Sequence, residues 1–136
     1  LWVELSTRKI GLPIDPKHDV IMDIYDSWYE FFKLTRELIK GIPVTKIRNN
    51  ESTRYIVNMS IELLNEGLRP HLTRWQAKYR RWYNIKSENK DESISPQQLQ
   101  ESFPEYSQLI EDMLKINNNL INYREILRSV AFGGVE

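Results

Sequence analysis

Between Tyr106 and Val130 the apolar side chains recur at steps of three and four residues without a break: Tyr106, Leu109, Met113, Ile116, Leu120, Tyr123, Leu127 and Val130. This spacing follows the 3.6-residue period of an α-helix and not the two-residue period of a strand. Ile110, Leu114 and Ile121 widen the stripe into a broad buried face. A helix from Pro104 to about Ala131 would be roughly 40 Å long at about 1.5 Å per residue. An apolar face of that length needs other long helices to lie against. The chain is therefore constrained towards an all-α bundle before any other feature is considered.

The partner helices are legible upstream. Asp15-Pro16 reads as an N-cap carboxylate followed by proline at the first helical position, opening a helix that stops at Gly41-Ile42-Pro43. Ile21, Ile24, Trp28, Phe31, Phe32 and Leu38 share its apolar side. Asp19, Asp23, Asp26, Glu30, Lys33, Glu37 and Lys40 form the polar side. Ile42 to Ile47 is the best strand candidate, short and interrupted by Pro43. A second helix is expected from Ser52 with Tyr55, Ile56, Met59, Leu63 and Leu64 inward. It would end at Asn65-Glu66-Gly67, with Gly67 left-handed at the C′ position. Pro70 then opens a third helix to Lys86, or else kinks one long helix; the absence of a polar loop favours the kink. Ser87 to Ser95 reads as an exposed loop. Ser95-Pro96-Gln97-Gln98 is a capping box that opens a short helix ending near Ser102. Asn117 falls within the apolar sector of the last helix and is expected at its edge, partly wet; the alternative is a buried Asn that fixes register.

Composition narrows the function classes. The 136 residues suit one domain, and 19 basic against 19 acidic residues leave no net field to favour nucleic acid or a membrane. The absence of cysteine removes disulfides, thiolate metal sites and cysteine nucleophiles. His18 and His71, the only histidines, are expected on the surface. No Gly-x-Ser-x-Gly elbow accompanies them. No Glu-x-x-His pair offers a di-iron site, and the Asp19, Asp23, Asp26, Glu30 ladder lies on the solvated side. Phosphate-cradling glycine motifs are absent, and Gly133-Gly134 reads as a tail. No catalytic residue, metal, cofactor or small molecule is implied, and the chain is expected not to be an enzyme.

One segment departs from the neutral balance. Arg69 to Lys86 holds six basic residues and no acidic one. Leu68, Leu72, Trp75, Tyr79, Trp82 and Tyr83 form one side of it, Arg74, Lys78 and Arg81 a row beside them, and Arg69 and Arg80 the other flank. As structure, the rings fill the core and the basic stems cover its edges. As a binding surface, Arg69, Arg74, Trp75, Lys78, Arg80, Arg81 and Trp82 would meet a partner. A protein partner or self-association ranks first and nucleic acid second, because the core consumes the aromatic stripe.

The expectation is an antiparallel up-and-down bundle of three to four long helices, the middle one kinked or broken near Pro70, plus one short helix. Residues 1–14 form an arm containing Trp2, Val3, Leu5 and Ile10, 15–131 the bundle and 132–136 a tail. Its expected role is a non-catalytic interaction or scaffolding module of the cytoplasm. Because the chain begins at Leu1, it is expected to belong to a longer protein, and any membrane tether would lie outside it.

Overall fold

The computed structural model describes residues 11–88 and 93–132. Among them the secondary structure is helical, with no strand. Helix α1 spans Ile21–Lys40, and Val44–Asn49 forms a short α2. A continuous helical path, α3, follows over residues 51–87. Pro96–Glu101 is α4, and Tyr106–Phe132 is α5.

Helix α1 starts later than Asp15-Pro16 predicts. The Asp15 carboxylate accepts from the Lys17 N–H at 3.0 Å, and the Asp15 carbonyl accepts from His18 and Asp19. These bonds close a separate turn. Val20 then leaves helical space at φ −93°, ψ 123°. The cap of α1 arrives from afar: Gln100, wholly buried on α4, accepts from the Ile21 N–H and donates to the Asp19 carbonyl, each at 2.9 Å. The strand candidate is instead α2, whose donors are taken up locally, with Lys46 and Ile47 bonded to the Pro43 carbonyl.

The path of α3 corrects a second expectation. Gly67 neither ends a helix nor adopts a left-handed conformation; it is buried mid-helix, where an added Cβ would meet Leu63 Cδ1 at an ordinary 3.7 Å. The chain is α-helical over Glu51–Glu62, π-helical over Leu63–Leu68, α-helical over Arg69–His71, π-helical over Leu72–Gln76 and α-helical over Ala77–Ser87. The Arg69 N–H bonds the Leu64 carbonyl five residues back. This wider turn lets a residue without an N–H pass through the helix without a break.

Side chains from three long elements share one interior. Ile21, Ile24, Tyr25, Trp28 and Phe31 come from α1, Leu63, Leu64, Leu68, Trp75 and Tyr79 from α3, and Leu109, Met113, Ile116, Leu120, Tyr123 and Leu127 from α5. Between α3 and α5 with the turn that leads into it, contacts pair rising numbers with falling ones: Ser60 with Tyr123, His71 with Asp112, Lys78 with Glu105, Trp82 with Phe103. The amphipathic stripe of α5 is thus buried as its spacing predicts as far as Leu127; the Val130 side chain lies outside the described residues. Leu38 and Tyr55, expected inward, are instead 46% and 55% exposed. Asn117 is buried, correcting the wet-edge expectation. Its Nδ2 donates to the Leu12 carbonyl at 2.8 Å and its Oδ1 accepts from the Ile14 N–H at 3.0 Å. It thereby ties residues 11–14, the described end of the expected arm, to the last helix. The first ten residues of that arm, and 133–136 of the expected tail, lie outside the described residues, as do 89–92 of the expected loop; Phe132 itself belongs to α5.

Candidate functional site

The basic segment lies on α3 and its rings divide between core and rim. Trp75 is 1% exposed and Tyr79 is fully buried, whereas Trp82 and Tyr83 are half-buried. Tyr79 packs edge-on to Phe103 at 5.2 Å and stacks on Tyr83 at 5.9 Å between centroids. Trp75 therefore cannot offer its ring to a partner. It supports the cations outside it instead. The Arg74 guanidinium lies 4.8 Å and the Lys78 ammonium 5.7 Å from the indole centroid, distances at which the ring quadrupole attracts a cation.

The five candidate cations are all exposed, but they are differently engaged. Lys78 pairs with Glu105, the residue just before α5. Arg80 lies 3.6 Å from Asp26 of α1. Arg69 covers the Phe32 ring at 5.0 Å and donates to Asn65. Arg74 and Arg81 have no carboxylate within ion-pair distance among the described residues. Lys78 thus meets the turn just before α5, and Arg69 and Arg80 face α1.

Beneath this rim sits an arrangement that sequence reasoning missed. His71, expected on the surface, is 2% exposed. Its Nδ1 lies 2.7 Å from Asp112 of α5 and its Nε2 2.9 Å from the Tyr25 hydroxyl of α1. Burial pushes the imidazole below its ordinary value of 6.5, opposed by the Asp112 carboxylate and reinforced by nearby Arg74. The ring is therefore neutral: Nδ1–H donates to the carboxylate, and bare Nε2 accepts from Tyr25. Burial, with Tyr79 and Asp112 nearby, likewise drives the Tyr25 hydroxyl well above its usual range, so it stays a donor. Tyr25 is fully enclosed, and only Asp112 reaches the surface. The network joins all three long helices at one level. A signal was available: His71 falls three residues after Leu68 and four before Trp75, on the buried face.

His18, by contrast, is exposed as expected and contacts the Asp15 carboxylate at 2.6 Å, which holds that carboxyl below its usual range. Among the described residues, no three His, Asp or Glu side chains are grouped to hold a metal ion. None of their helices is long and apolar enough to cross a membrane. Open clefts crease the surface formed by the described residues, and three of them border α3. One of about 450 Å³ lies between α3 and α5 beside Gly67 and Tyr123. The other two, of about 490 and 540 Å³, lie along the junction of α1 and α3.

No protein-family model, curated protein or solved structure matches this chain. Function must therefore be argued from the side chains themselves.

Proposed function

We propose that this chain is a non-catalytic interaction module: an antiparallel bundle of three long helices that presents the basic rim of α3 to a protein partner. The observation that carries this reading is the state of the cations. Arg74 and Arg81 are exposed without a carboxylate partner among the described residues, while Trp75, the ring beneath Arg74, is buried. Cations that neighbouring helices leave unpaired remain available to acidic groups of another molecule. Arg69, Lys78 and Arg80 flank them, and half-buried Trp82 adds apolar contact at the rim. Trp75 serves as the platform under Arg74 and Lys78 rather than as a contact.

Nucleic acid is the second reading of the same surface. The burial of Trp75 and Tyr79 weighs against it, because base stacking needs exposed ring faces. Only phosphate contacts would remain.

The triple variant Arg74→Glu, Lys78→Glu, Arg81→Glu is expected to lose a partner captured from lysate. Its thermal melt should hardly move, since exposed ion pairs contribute only about 0–1 kcal/mol each. Undiminished capture by the variant overturns the proposal. Capture that disappears on nuclease treatment transfers the surface to nucleic acid.

A further inference from the structure

The outer side of the α1–α3 junction carries two clefts, one at each end, and their chemistry is opposite. The first is lined by Asp26, Tyr29 and Glu30 of α1 and by Arg80 of α3. Asp26 is engaged by Arg80 at 3.6 Å; Glu30 has no ion pair among the described residues. Tyr29 in this cleft is 59% exposed, so its ring is accessible to another molecule. The second cleft has an apolar floor of Phe32, Ile39, Ile61 and Leu64, ringed by Arg36, Lys40 and Arg69 with no carboxylate in its lining. One end of the groove therefore offers an aromatic knob beside an acid. The other offers an apolar hole beside three cations.

Tyr29 and the centre of the second cleft, near Arg36 to Lys40 on the same helix, are separated by roughly nine residues, or about 13 Å along the axis. Such a face complements a copy of itself turned end for end about a two-fold axis midway between knob and hole. We infer that the α1–α3 face is an interface between two copies of this chain. Tyr29 of each copy enters the Phe32, Ile39, Ile61, Leu64 hole of the other, and Glu30 meets Arg36 and Lys40. The tyrosine ring replaces water over apolar side chains, and its face is offered to the guanidinium groups at the rim. A face of two helices about 20 Å long is at the small end of specific interfaces, so the pair forms reversibly with concentration. This inference goes beyond the reading above. Arg69 and Arg80 border both surfaces, but Arg74, Lys78 and Arg81 take no part in this one and none of the variants below alters a residue of the basic rim, so either can fail alone.

Sedimentation velocity over a concentration series tests it with four proteins. The wild type is expected to shift from monomer towards dimer as concentration rises, and less so at high salt. Tyr29→Ala removes an exposed side chain, leaves the circular dichroism melt unchanged and weakens dimerisation by about 30-fold, as loss of a buried aromatic anchor does. Asp26→Asn/Glu30→Lys makes both ends of the groove basic, and Arg36→Glu/Lys40→Glu makes the second end acidic. Each is expected to be monomeric alone, and the two mixed in equal amounts to form a heterodimer. A wild type that stays monomeric, a dimer indifferent to Tyr29→Ala, or a mixture that fails to associate overturns the proposal.

Discussion

His71 is held on both edges of its ring, and its neutral form is the one the fold accommodates. Because burial depresses its pKa in the folded chain, the unfolded chain binds a proton more readily as pH falls through about 6.5. The contribution of this residue is thus fully present above pH 6.5 and is lost as pH falls towards the depressed folded value. Urea unfolding at pH 7.5 and 5.5 should show the wild type losing stability on acidification, and His71→Gln losing less over the same interval. An equal loss in both would detach the effect from this ring. Nothing local in the sequence announces the network, because its members lie 46 and 41 residues apart. The stripe spacing places His71 inward; only the packed helices show that Tyr25 and Asp112 meet it there.

Among the elements, α3 shows how tertiary burial overrides local stop signals. Asn65-Glu66-Gly67 followed by Pro70 is good punctuation for a helix end, yet Leu63, Leu64, Leu68 and Trp75 on either side are all buried in one interior. Two π-helical turns keep those side chains facing inward across the proline. Gly67 then carries only the entropic cost of glycine in a helix, with space for a methyl group. Gly67→Ala should raise stability by about 0.5–1 kcal/mol in chemical denaturation. A left-handed glycine at that position would give the opposite sign. The start of α1 makes the complementary point. Its cap is a side chain 79 residues away, so Gln100→Ala should cost about 1–2 kcal/mol, as loss of a helix cap does. It should also loosen the packing of α4, visible as faster amide exchange at Ile21.

Across the whole molecule, Trp28 and Trp75 belong to one interior with the stripe of α5, so no part of the long helices is expected to unfold alone. Thermal transitions followed by far-ultraviolet circular dichroism and by tryptophan fluorescence should coincide. Separate midpoints would divide the core into independent units. Periodicity and capping in the chain were enough for the helical class, the capping box at Ser95 and the buried ridge from Leu109 to Leu127. All of these are written in periodicity and capping, which act over one or two turns. Packing was needed to show that Asn117 and His71 are interior, that Gln100 caps a distant helix, that Trp75 is a platform and that Arg74 and Arg81 have no ion-pair partner among the described residues. Whether a polar group is satisfied depends on which distant residue faces it, and that is settled only when the helices pack.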